Sequence, residues 1–288
     1  MAVRLEKEII ICADDFGISP GVSKGVLKLV EANKISATSV MVCFEDWKQE
    51  AKPLINLKNQ IDIGLHFTLT GAVPLSSPKE IPSLVTANGE LASLGQFIKK
   101  CFLRNINSED VKKEFNEQFD SFVEFFGFTP HFVDGHHNVH QYPVVNKALI
   151  ETFKEKLDGH NFYARNTSVP LNKAFRQGGN FLKIFPISLW GTPYKNLLET
   201  SNINTNSSFM GIYDWKRPEL FGKNFKRFLQ ASSNKNGIIM THPGIPDDIL
   251  KKRDVYNEGR KMEFNFLNET KMENIFDSIK IIPAKFSK

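Results

Sequence analysis

Cysteine is scarce in this chain: Cys12, Cys43 and Cys101 are the whole complement of 288 residues. They are widely spaced, odd in number and set in apolar runs, which excludes a disulfide framework or a cysteine zinc knot and points to reduced core thiols. Long apolar runs are missing too, and nothing approaches the ~20 residues of a membrane-spanning helix. The opening MAVRLEKEIIICADD carries Arg4, Glu6, Lys7 and Glu8 before a short apolar run, too short and too acidic for a signal-peptide core. The expected location is the cytoplasm. Nor is there a basic stripe interleaved with aromatics. The net charge of +5 comes from lysines mixed with acids, as at Lys112-Lys113-Glu114 and Lys251-Lys252-Arg253-Asp254, so nucleic acid is not expected as a partner. Internal repeats and low-complexity linkers are absent as well. With 41% hydrophobic and 24% charged residues, the chain is expected to form one domain over 1–288, close to the ~250 residues of an α/β barrel.

What is present is an alternation of strand-like apolar runs with segments of helical period, the signature of βα units on a parallel sheet. Glu8–Ala13 is a strand run, followed by Ser19 as a helix cap with Pro20 in the first helical position and Val22, Val26, Leu29 and Val30 on one face. Ser39–Phe44 is the next expected strand. From Ile61 to Leu69 the chain alternates, with Ile61, Ile63, Leu65, Phe67 and Leu69 on one side and Asp62, Gly64, His66 and Thr68 on the other. Ser108 is expected to cap a helix whose stripe is Val111, Phe115, Phe119, Phe122 and Phe126, closed by Gly127. His131–Val133 forms a short strand, Pro143 opens a helix, Gly237–Met240 is a buried strand and Ile279–Ile282 a final one. Residues 71–95 and 190–213, rich in small and turn-forming residues, are expected to be long loops over a site.

The chemistry collects at strand ends. Asp14 and Asp15 follow the first apolar run, His66 lies late in the alternating strand, Asp134 and His136 follow another strand, and His242 follows a fourth. In an α/β barrel the C-terminal strand ends converge on one face. Singly, each group has a plain structural alternative: a turn or cap pair for Asp14-Asp15, a satisfied strand histidine for His66, a turn-shaping role for His242. Four segments together point to a site. Two imidazoles and a carboxylate suit a borderline divalent cation with open positions. A second carboxylate can act as base and a separate histidine as acid, an inventory for amide or ester hydrolysis. His131 and His160 lack such context and are expected to be structural.

Ala13-Asp-Asp-Phe-Gly17, Gly64-Leu-His-Phe-Thr-Leu-Thr70, Val133-Asp-Gly-His-His-Asn-Val-His140 and Thr241-His-Pro-Gly244 occur in that order. Together with Phe209-Met-Gly-Ile-Tyr-Asp214 and Arg260-Lys-Met-Glu263 they resemble the YdjC-like carbohydrate deacetylases, over about residues 8 to 267. The resemblance implies a distorted (β/α) barrel related to the polysaccharide deacetylases, and metal-dependent removal of an N-acetyl group from an amino sugar. It implies Asp15, His66 and His136 as ligands of one divalent ion, Mg²⁺ or Zn²⁺: two imidazoles favour zinc on softness, while members of the family are often assigned magnesium. It implies Asp14 as general base, His242 as the acid that protonates the departing amine, and Arg165 as a group that orients Asp14 or binds substrate. A homodimer is a further implication.

Two positions depart from the family pattern: Asn138 where a histidine is usual, and Thr241 where cysteine is common. Asn138 is the one hint of the alternative, an inactive carbohydrate-binding relative. A glycoside hydrolase with paired carboxylates is disfavoured, because Asp14 and Asp15 on a strand would point to opposite faces.

Overall fold

The structure, a computed structural model, describes residues 5–169, 181–276 and 279–287. Its centre is β1 (Leu5–Phe16), whose Ile9, Ile10 and Ile11 are buried on both faces. An isoleucine run survives there because parallel strands are covered on both sides. Around it lie β2 (Ala37–Val40), β3 (Asp62–Phe67), β4 (Phe132–Gly135), β5 (Tyr163–Ala164), β6 (Ser208–Met210), β7 (Gly237–Thr241) and β8 (Ile279–Pro283). Every ladder is parallel, in the order β5-β4-β3-β2-β1-β7-β6, with β8 added to the start of β1.

The two ends of that path meet. Ala164 bridges Thr205 in parallel, and the Ala164 amide donates to the Asn204 carbonyl at 2.9 Å. Two asparagines sew the rest of the seam: the Asn166 amide donates to Asn206 Oδ1 at 2.8 Å, and Asn206 Nδ2 donates to the Asn166 carbonyl at 3.0 Å. The sheet is thereby curled into a distorted barrel. Its lumen is filled: Ile10, Cys12, Ala37, Phe132, Tyr163, Phe209, Ile238 and Met240 form one apolar cluster, while the intervening Ile9, Ile11 and Ala13 join the larger cluster under the helices.

The helices are α1 (Pro20–Glu31), α2 (Trp47–Ala51), α3 (Leu94–Phe102), α4 (Ser108–Phe126), α5 (Val145–Lys156), α6 (Phe181–Thr200), α7 (Phe221–Ala231), α8 (Leu250–Arg253) and α9 (Asn257–Glu269). Ser19 caps α1, its hydroxyl accepting from the Val22 amide at 3.3 Å, and Gly127 ends α4 in a left-handed conformation, as the sequence predicts. The α4 cap is Asn107 rather than Ser108: its side chain accepts from the Glu109 amide at 2.9 Å, so Ser108 is the first helical residue. Helix α5 begins at Val145 instead of Pro143, because Val144 takes φ 72°, ψ −54° and breaks the entry.

The larger correction concerns 190–213, expected as loop. Helix α6 runs through it to Thr200 and β6 follows. Gly191, which suggested a turn, is there for close approach: a Cβ would lie 2.7 Å from the Ser168 amide nitrogen. Tyr194 and Leu198, one turn apart and fully buried, fix the helix on the body of the protein. Among the described residues no helix is long and apolar enough to cross a membrane.

Candidate active site

The site begins with a break in β1. Ala13 pairs with Thr38 and Phe16 with Val40, so three steps along β1 oppose two along β2. The extra residue is accommodated at Asp15, which adopts φ 65°. A bulge of this kind re-aims a side chain. The expected opposition of Asp14 and Asp15 across the sheet is therefore overturned, and both line one cavity.

Asp15 gathers the imidazoles. Its Oδ1 lies 3.0 Å from His66 Nε2 and 2.9 Å from His136 Nδ1, and the three donor atoms lie within 4.8 Å of one another. His66 comes from β3, and His136 opens the turn after β4. The other nitrogen of His66 is fixed from behind, with Nδ1 2.7 Å from Asp134 Oδ1 and 2.9 Å from Ser39 Oγ. With Nδ1–H donated to Asp134, the lone pair at Nε2 faces the Asp15 carboxylate. Two acceptors in contact need a cation between them. In its absence a proton serves: burial alone would lower His66, but the Asp134 and Asp15 carboxylates push it up to about 10. A divalent metal would satisfy the same three atoms, and an Asp-His-His set with Asp15 and His66 buried and His136 half-buried fits such an ion.

The second oxygen of Asp15 is taken by α9. Arg260 Nη2 donates to Oδ2 at 2.5 Å and also pairs with Asp254 at 2.7 Å. Burial would raise the Asp15 carboxyl; Arg260 and His136 overcome it and hold the group well below the ordinary carboxylate range.

Arg165, just after β5, pairs with Asp14. Nη1 donates to Oδ2 and Nη2 to Oδ1, each at 2.6 Å, a bidentate fork. Nη2 also reaches Asp134 Oδ2 at 2.6 Å and Cys12 Sγ at 3.0 Å. Cys12, Asp14 and Asp134 converge closely enough to hold a metal, but the guanidinium occupies their centre. Arg165 is 1% exposed, so of its two expected roles the structure supports orienting Asp14 rather than touching substrate. His140, from the same motif as His136, is buried behind the site with Nε2 3.0 Å from the Arg165 carbonyl.

His242 follows β7 and lines the same cavity. Its backbone amide donates to Glu263 Oε2 at 2.6 Å. Glu263 Oε1 in turn accepts from Tyr213 at 2.7 Å and Tyr256 at 3.2 Å. The imidazole makes a T-shaped contact with Trp215, centroids 5.0 Å apart. The cavity encloses about 480 Å³ and takes in Asp14, Asp15, His66, His136, Asn138 and His242 together. Asn138 sits at φ 57°, a left-handed conformation that asparagine tolerates well.

All six residues singled out in the sequence are thus close together: five line the cavity and Arg165 stands one hydrogen bond behind. Sequence reasoning gave no role to Arg260, Glu263, Ser39 or Tyr213. Arg260 and Glu263 did leave a signal, a cation and an acid three residues apart on one helix, both buried. His131 is structural as expected, its Nδ1 accepting from the Ile63 amide at 2.9 Å; His160 lies near Thr129, away from the cavity lining.

Comparison with known proteins bears on the family of the chain. A chitooligosaccharide deacetylase of Yersinia enterocolitica (serotype O:8 / biotype 1B) is 29% identical over 256 residues, covering 85% of each chain. A chitooligosaccharide deacetylase of Serratia marcescens is 35% identical over 152 residues, covering 52% of this chain and 57% of its own. Among solved structures, a putative cellobiose-phosphate cleavage protein from Enterococcus faecalis V583 shares the fold, with TM-score 0.75 at 21% identity over 98% of this chain and 97% of its own. The model of the family described as YdjC-like protein matches residues 8–278, and the chain belongs to that family.

Proposed function

We propose that this protein is a metal-dependent carbohydrate N-deacetylase, removing the acetyl group from an acetylated amino sugar or chitooligosaccharide and releasing acetate. The observation that carries the reading is the convergence of Asp15, His66 and His136 on one point, with Asp14 and His242 in the same cavity. Asp15, His66 and His136 would hold a single divalent cation, with Zn²⁺ favoured over Mg²⁺ by the two imidazoles. Bound there, the cation supplies Lewis acidity, polarising the amide carbonyl and making a water more acidic.

The chain's own residues do the rest. Asp14 keeps lone pairs beyond those committed to Arg165 and takes a proton from the attacking water. The Arg165 fork fixes the plane of that carboxylate. As oxygen adds to the acetyl carbon and the C–N bond breaks, the His242 imidazole gives its proton to the leaving nitrogen. Acetate and a free amine result. The Glu263 contact to the His242 amide sets where that ring stands, and the buried Asp134 holds the His66 ring from behind. Apolar Met41, Ile212 and Met240 in the cavity wall limit water around the reacting bond.

The same reading takes the chain as one cytoplasmic domain. One apolar cluster runs from Ile9 to Ile281, and the three free cysteines suit a reducing compartment. It includes a homodimer, supported by Phe102, Leu103 and Leu189 standing exposed together with Trp190 against Phe102. The test is acetate release from diacetylchitobiose by the metal-loaded protein. Stoichiometric acetate and free amine support the reading; an intact substrate after prolonged incubation, across N-acetylated mono- and oligosaccharides, refutes it.

A further inference from the structure

Large apolar side chains standing exposed among the described residues include Val73, Phe102, Leu103, Leu189, Trp215, Val255 and Met262, and of these Trp215 alone lines the cavity. The indole is 36% exposed and lines the cavity, so a ligand bound there meets its apolar surface. Its surroundings show that it is held in place. One face stacks on Tyr256, centroids 4.9 Å apart and planes 28° from parallel. Tyr256 is itself anchored by its hydroxyl to Glu263 at 3.2 Å. Behind Tyr256 lies Gly259, where a Cβ would stand 2.0 Å from the phenol ring. Glycine on this helix therefore lets the phenol lie flat on the backbone, and the indole lies on the phenol. The Trp215 and His242 rings meet in a T-shaped contact, centroids 5.0 Å apart and planes at 69°.

We infer that Trp215 is the platform on which the pyranose ring of the substrate stacks, and that it sets both preference for a cyclic amino sugar and the approach of its nitrogen to His242. This rests on the deacetylase reading of the same cavity. The electron-rich indole face attracts the axial C–H groups of a sugar with equatorial substituents, as it attracts the edges of other rings. A sugar seated there brings the substituent on its ring to the neighbouring imidazole. His66, His136 and Asp14, which line the same cavity, are left for the acetyl group. The platform thus sorts substrates by shape, where the carboxylates and imidazoles act on any acetamide.

The test combines steady-state acetate release with calorimetric binding of diacetylchitobiose, for wild type, Trp215→Phe and Trp215→Ala. The stack predicts that Trp215→Ala raises both KM and Kd about tenfold, that kcat changes much less, and that Trp215→Phe stays close to wild type. Unchanged KM and Kd in Trp215→Ala overturn the inference. So does a fall in kcat alone, which would make the indole a support for His242. If Trp215→Ala fails to fold, Trp215→Leu fills the space without a π face and carries the same expectations. Wild-type protein that binds the disaccharide through Trp215 but releases no acetate would refute the deacetylase reading and leave this inference standing.

Discussion

Asp15 occupies a conformation that few residues accept, φ 65°, and the site depends on it. Asparagine and aspartate enter the left-handed region more readily than other side-chain-bearing residues. At Asp15 that tolerance turns the carboxylate from the strand's alternation toward His66 and His136. Asp14, in regular strand geometry, keeps its own direction into the Arg165 fork. The identities of both residues are legible from their place after an apolar run; the bulge is not, because a one-residue shift against β2 exists only once two distant segments pair. The fork itself leads to a prediction. Arg165→Lys keeps the charge but offers one compact ammonium to two oxygens of Asp14, one of Asp134 and Cys12 Sγ. Loss of the carboxylate's orientation is expected to lower kcat by about 10²-fold, with KM little changed. Acetate-release kinetics check this; a kcat within about threefold of wild type, smaller than such a loss of orientation, contradicts it.

At the scale of elements, α9 ties together two halves of the site. Arg260 reaches back to the Asp15 carboxylate, and Glu263, one turn on, holds the His242 amide and the two tyrosines. Neither contact is local, with Arg260 and Asp15 245 positions apart. Spacing therefore shows that the two residues share a helical face, and only the barrel shows what that face meets. The same limit explains the other misreadings. Loop composition around Gly191 and Pro193 concealed α6, whose glycine answers to the Ser168 backbone. The Asn107 and Ser108 caps differ by one residue, a choice settled by which side chain reaches the Glu109 amide. What the sequence carries well are features of one segment: the α1 cap, the α4 stripe and its closing glycine, and the acids and imidazoles at strand ends. Arg260 neutralises Asp15, and on the proposed reading a metal ion would do so too. Arg260→Met should then lower the melting temperature of metal-free protein, since the buried Asp15 Oδ2 loses its guanidinium partner and only the His66 and His136 contacts at Oδ1 remain. Metal addition should raise it by several degrees more than in wild type. Calorimetric melts with and without metal decide; equal metal-induced shifts contradict the shared role.

The whole molecule is a filled barrel with chemistry at one end, and its stability is coupled to pH through groups remote from that chemistry. His131 stacks on Phe128 and accepts from the Ile63 amide, tying β4 to β3. Burial, with smaller contributions from the Lys285 and Lys58 charges, lowers its pKa from 6.5 to about 4. The unfolded chain therefore binds this proton first as pH falls. The stabilisation is fully present above about 6.5 and is lost progressively toward about 4. Urea midpoints of metal-free protein should fall across that window less steeply in His131→Gln, whose amide oxygen can still accept from Ile63. Parallel pH profiles for the two proteins would contradict the assignment.

The central claim is a cation held by Asp15, His66 and His136, and it is tested most directly by the metal content of purified protein, wild type beside His66→Ala, with acetate release from diacetylchitobiose measured on the same samples. The account predicts about one divalent ion per chain in wild type, as expected for a catalytic site of three protein ligands. It predicts loss of that ion, and of acetate release with it, in His66→Ala. Wild-type protein that takes up no divalent ion under any loading condition, or a His66→Ala variant that releases acetate as fast as wild type, would contradict it.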